Sequence, residues 1–211
     1  MLPQPSSRLR GWLLVAPVVV VGVSVLITFW NIWPSIHVNS FFVATKQVGA
    51  DNMSDSVLSA LKVSVRQAST SPPQLTIGVT NTYSSPITVL AWESPLDPLA
   101  LQLGLLSFIP KGEDAPIKIP RIMVRRRMPP DDDAYVTISP GQTEERDVPL
   151  NKPLIPLEKF QGKIEVVCKG DWKGAWTSKK EDMPAEALKQ AGADAAALKG
   201  KFESEPVEIE F

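Results

Sequence analysis

One histidine and one cysteine are all this chain has of the two most versatile catalytic side chains, His37 and Cys168. With the only imidazole at position 37, beside a long apolar run, neither a Ser-His-Asp nor a Cys-His system can be assembled in the remainder of the sequence. HExxH is absent, so the helical zinc site of metalloproteases is missing. A lone cysteine allows no intramolecular disulfide and no thiolate metal cluster. The chemistry still open belongs to carboxylates, guanidiniums and indoles. Glu93 and Asp97 bracket the turn of WESPLDP, and two carboxyls held several ångströms apart are what a glycosidase requires. A strand end followed by a Pro and Asp turn explains the same residues more simply.

Arg125, Arg126 and Arg127 precede Asp131, Asp132 and Asp133 across Met-Pro-Pro. Such an oxygen-rich loop can hold Ca²⁺, but its spacing matches no EF-hand; a solvated acidic turn facing a basic strand end is the plainer reading. The arginines are equally able to contact anionic headgroups or an acidic partner, and are candidate partner contacts on that ground. Trp172 and Trp176, in CKGDWKGAW, join them if exposed, because tryptophans between glycines make platforms and hot spots; otherwise they are core or strand-edge aromatics. Cys168 ends the run IEVVC and reads as a small buried hydrophobe, with an intermolecular disulfide as the alternative. These residues define no catalytic site, metal site or cofactor site, and the expectation is a protein that is not an enzyme.

The elements that must position these residues start with an anchor. Residues 11–33, GWLLVAPVVVVGVSVLITFWNIW, carry no charge over 23 positions and would span roughly 34 Å as a helix, enough for a bilayer core. Trp12 stands at one end and Trp30 and Trp33 at the other, as interfacial indoles do. Arg8 and Arg10 precede the run, and no Lys or Arg follows for twelve residues, so the positive-inside bias puts residues 1–10 in the cytoplasm and the bulk of the chain in the lumen or outside the cell. A cleavable signal peptide is the competing reading, but its apolar region is usually about 7 to 15 residues and ends in a small-x-small site. A mitochondrial leader is another, although MLPQPSSRLR is short for one. Residues 34–59 read as a tether, in which Asn52-Met53-Ser54 is a glycosylation sequon.

Residues 60–211 are the size of one domain with a full core. The net charge of -1 supplies no basic field for nucleic acid. Leu61, Val63 and Val65 alternate with Lys62, Ser64 and Arg66; Leu75, Ile77 and Val79 alternate with Thr76, Gly78 and Thr80; a third strand runs from Ile87 to Trp92. Spacings of about twelve residues predict an antiparallel β-sandwich of seven or eight strands, with an open barrel plugged by a helix as the alternative. Further strands are predicted at Leu105 to Ile109, Ile117 to Arg125, Ala134 to Ser139, Glu144 to Leu150 and Lys163 to Lys169, and PVEIEF supplies the last. PAEALKQAGADAAALK, residues 184–199, has helix-forming composition and Gly200 as a stop.

The segments LKVSVRQASTSPPQLTIGVTNTYSSPITVLAWESPLDPLALQLGLLSFIP, IPRIMVRRRMPP and TISPGQTEERDVPL together resemble a group of uncharacterised filamentous-fungal proteins with an immunoglobulin-like sandwich. More distantly they resemble the β-rich pro-region of fungal deuterolysin-type metalloproteases. The resemblance covers about residues 60 to 176, is most specific at WESPLDPLAL and SPGQT, and carries over no catalytic residue. It implies an immunoglobulin-like fold and a binding or chaperone-like role toward a protease or another secreted protein. The expectation is a single-pass membrane protein whose extracytoplasmic sandwich binds a protein partner or is structural. An accessory, chaperone or inhibitor for a secreted enzyme or a biosynthetic pathway is the alternative.

Overall fold

Period-two alternation settles the first sheet. Leu61, Val63 and Val65 point inward from β1 (Leu61–Thr70) while their neighbours face solvent. β2 (Pro73–Asn81) returns antiparallel with Val63 opposite Val79 and Val65 opposite Ile77. On the far side of β2 lies β6 (Thr143–Pro149), its Arg146 opposite Ile77. β6 keeps only Val148 buried and turns Glu144, Glu145, Arg146 and Asp147 to solvent, the charged edge that discourages pairing with another chain. The computed structural model describes residues 54–151, 155–160 and 162–210. The tail 1–10, the anchor 11–33, residues 34–53 of the tether and Asn52 lie outside them. Among the described residues no helix is long and apolar enough to cross a membrane.

The second sheet is organised by one long strand, β7 (Lys163–Trp176). Its first half pairs with β4 (Leu106–Pro110) on one side and β9 (Val207–Glu210) on the other. Its second half pairs with β8 (Leu198–Glu203) and, at Ala175 and Trp176, with β3 (Ile87–Leu90), which also carries β5 (Tyr135–Ile138). All pairings are antiparallel. The faces of the two sheets close over Leu75, Ile77, Val79, Phe108, Ile164 and Val166, all fully buried. This is the predicted antiparallel sandwich; nine strands are formed among the described residues.

Three expectations are corrected. The tether does not run to residue 59: residues 54–59 form a helix, α1, that buries Val57 and Leu58 in the core. Its Leu58 lies over Gly200 of β8, where an added Cβ would meet Leu58 Cδ1 at 2.7 Å. The predicted strand Ile117 to Arg125 is irregular and makes no ladder; Pro116 and Pro120 lack the N–H that pairing needs. Finally, the helix predicted over 184–199 stops early. α2 covers Ala185–Gln190, a 3₁₀ turn follows at Ala191–Ala193, and β8 begins at Leu198. The helix ends where Ala191 takes a positive φ of 50°, and Gly192 then lies against β7, where a Cβ would stand 2.2 Å from the Lys173 carbonyl oxygen. α2 instead covers a satellite core of Leu90, Tyr135, Trp176, Met183, Ala187 and Ala191 on the outer side of the sheet.

Candidate functional site

Two irregular connections flank β4 and hold most of the residues singled out above: a loop at 91–105 and a strap at 111–131. The loop contains WESPLDP. Its Asp97 is buried and satisfied from three directions: one carboxylate oxygen accepts the Leu99 N–H at 2.9 Å, and the other accepts the Glu93 N–H at 2.6 Å and pairs with the Arg126 guanidinium. Ser94 donates to the Ala91 carbonyl and accepts the Leu96 N–H, closing a second small ring. Arg146 of β6 donates to the Leu96 carbonyl at 3.2 Å. Glu93 takes a positive φ of 55° and faces solvent, where it pairs with Lys173 at 3.1 Å. Glu93 and Asp97 are therefore not a free carboxylate pair. Asp97 holds the loop shape and the strap; Glu93 is a surface residue.

The strap folds back along the free edge of β4. The Ile117 N–H reaches the Phe108 carbonyl at 2.8 Å and the Ile122 N–H reaches the Gln102 carbonyl at 3.0 Å. Ile117 and Ile119 pack against the core. Near the crossing point the Arg121 side chain lies over Gly104, whose φ is +78°; an added Cβ would sit 2.3 Å from Arg121 Nε. Alternation persists beyond it, with Val124 and Arg126 turned inward and Met123, Arg125 and Arg127 outward. Arg126 is accordingly not a surface contact. Its guanidinium pairs with Asp97 and lies 5.7 Å from the centre of the Trp92 ring, a cation–π contact.

The outward set is unusual. Ile122, Met123 and Met128 are 43%, 101% and 55% exposed, and they are the exposed large hydrophobics among the described residues. Lys118, Arg121, Arg125 and Arg127 are exposed beside them. Arg125 and Arg127 are thus exposed on the same short stretch as three apolar side chains that the sequence pattern did not single out. Acidic residues do not join them: Asp132 turns to Lys180 at 3.1 Å, and Asp131 to Asp133 open the 3₁₀ turn at Asp132–Ala134.

The tryptophans fall elsewhere. Trp172 is 1% exposed and stacks at a tilt on Phe202 with ring centres 4.9 Å apart. Trp176 is 5% exposed, packs on Tyr135 and donates its indole N–H to Asp194 at 3.0 Å. Neither stands out from the surface as a platform, because Gly170 and Gly174 leave room that neighbouring rings fill. Phe202 lies against Gly170, and the Trp176 ring itself folds over Gly174. Cys168 is buried in the core, and desolvation pushes its thiol up to about 12. A thiol so enclosed offers no sulfur to a neighbouring molecule.

The two antiparallel sheets, joined face to face through one core, define the class: residues 60–211 match the immunoglobulin-like domain family, and the chain belongs to it. Within the class, the chain is 31% identical over 140 residues to an uncharacterized secreted protein of Arthroderma benhamiae, across 65% of this chain and 69% of that one.

Proposed function

We propose that this is a non-enzymatic, single-pass membrane protein whose immunoglobulin-like domain stands in the lumen or outside the cell and binds a protein partner through its strap. The observation that carries the reading is the grouping of Ile122, Met123 and Met128 on one exposed segment with Arg125 and Arg127 between them. Apolar surface left in water forgoes about 25 cal/mol per Å² of burial, and an exposed apolar patch rimmed by charge is the usual mark of a contact surface. The complementary partner surface is an apolar depression edged by carboxylates. Burial and triple satisfaction of Asp97 favour a structural role for the WESPLDP loop over a catalytic one.

The uncharged run at 11–33 supports the anchor, with residues 1–10 cytoplasmic. Secretion of the Arthroderma benhamiae relative, as its description states, supports the domain's entry into the secretory pathway; on that side Asn52 is open to glycosylation. An accessory, inhibitor or chaperone-like role toward a secreted enzyme is the form of partner binding that the likeness to a pro-region favours.

Two experiments test this. Protease protection on sealed microsomes, with an epitope tag after Phe211 and glycosidase treatment, should give a protected, membrane-bound, full-length band. A digested tag would reverse the orientation, and a soluble shortened product would replace the anchor with a cleaved signal. A photo-crosslinking side chain at position 123 of the full-length chain should then form one protein adduct that disappears when Ile122→Asp and Arg125→Glu are added. Adducts to lipid alone, or adducts indifferent to those changes, would defeat the strap assignment.

A further inference from the structure

A cavity of about 510 Å³ lies away from the strap, between α1, the end of β7 and α2, within the range that holds a small ligand. Its walls are apolar, with Val57 from α1, Trp176 from β7, Met183 ahead of α2 and Leu198 from β8. Among the described residues, the charged members of its lining are Glu186 and Asp194, and no Lys or Arg joins them. An apolar slot with polar groups of one sign selects a ligand with an apolar body and the opposite charge.

Asp194 is held for this. Its Oδ2 accepts the Trp176 indole N–H at 3.0 Å, which fixes the carboxylate beside the ring and leaves its other oxygen without a side-chain partner among the described residues. Asp194 is also close enough to help raise the Tyr135 phenol above its ordinary range, second to desolvation of that ring. Glu186 is exposed at the mouth, where Lys189 stands 3.8 Å away and Gln190 donates at 3.2 Å. That ion pair lies in open solvent, where such pairs contribute little and are easily exchanged. An ammonium group entering here meets a positioned carboxylate and the indole of Trp176, the two features that attract organic cations.

We infer that this cavity is a binding site for a small organic cation, an amine or quaternary ammonium carried on an apolar or aromatic body. Two carboxylates in a lining that has no basic residue among the described residues disfavour carboxylates and phosphates of similar size. An apolar segment of the chain itself, or a neutral molecule, would have no use for the two carboxylates.

The test uses the full-length chain in nanodiscs and three water-soluble probes of matched bulk: benzyltriethylammonium, benzyl alcohol and benzenesulfonate, followed by calorimetry and by saturation-transfer NMR. The cation should bind saturably with one site per chain and at least tenfold more tightly than the alcohol, and benzenesulfonate should not bind. Glu186→Gln, at an exposed position, should weaken the cation about threefold. Ala196→Trp, also at an exposed lining position, should fill the mouth and abolish binding while the thermal unfolding midpoint stays unchanged. Absence of saturable cation binding, equal binding of the alcohol or the sulfonate, or binding that survives Ala196→Trp would each overturn the inference.

Discussion

The loop at 91–105 and the strap at 111–131 are both long, both irregular and both rich in polar and apolar residues, yet they treat those residues in opposite ways. The loop buries a carboxylate and satisfies it with two N–H groups and a guanidinium. The strap exposes Ile122, Met123 and Met128 and carries cations between them in sequence. A buried charge with every partner in place is explained by the fold alone, whereas exposed apolar surface is explained only by what covers it. The proposed partner contact thus falls in the strap and the stabilising network in the loop, and Arg126 is the residue at which the two meet.

Substitutions separate these roles. Asp97→Ala should have the largest effect, about 3–5 kcal/mol of stability in urea denaturation, because it strands the inward Arg126 and two N–H groups. Arg126→Ala should follow at about 3 kcal/mol, since it leaves the Asp97 carboxylate buried with only its N–H donors. A double-mutant cycle between the two should show coupling above about 1 kcal/mol, and a cycle between positions 126 and 123 none; equal coupling in both would erase the distinction between loop and strap. Gly104→Ala should cost about 1–2 kcal/mol, combining a positive φ with displacement of Arg121. Met123→Asp should change stability by no more than about 0.5 kcal/mol and yet remove the protein adduct formed by a photo-crosslinking side chain moved to position 128. A large loss of stability there would mean that Met123 is covered by the domain itself. At the small end, Cys168 should resist a thiol reagent in the folded protein near neutral pH, because its thiol titrates only at about 12, and should react at once in denaturant.

How much of this the sequence revealed depends on whether a period survived in it. β1 and β2 were legible because Leu61, Val63, Val65, Leu75, Ile77 and Val79 keep strict alternation in a half-buried sheet. β8 was hidden, although Leu198, Gly200 and Phe202 also alternate with charged residues, because its start lies in an alanine-rich stretch of helix-forming composition. The strap shows the converse: Ile117 to Arg125 reads as a strand and forms none, because Pro116 and Pro120 withhold the N–H groups of a ladder. Arg126 could not be told from Arg125 and Arg127 by residue type. Phase alone distinguishes it, two places after the inward Val124, and phase acquires meaning only once the partner Asp97 is placed. The apolar members of the strap escaped notice because Ile122 and Met123 look like core residues in any linear reading. Their exposure is a tertiary fact.

β7 pairs along its whole length with strands drawn from both earlier and later chain, and its outer neighbours, β8 and β9, come after it in sequence. During synthesis, at about 5–20 residues per second, the first sheet can assemble as soon as residue 149 has emerged. β7 must wait for residues 198–210 with one long edge unpaired. For a few seconds the nascent chain therefore presents an apolar strand edge, the kind of template that invites wrong partners. Shortening the chain ahead of Leu198, which removes both β8 and β9, would make that transient state permanent, and aggregation of the truncated product, rather than a smaller folded domain, is the expected result.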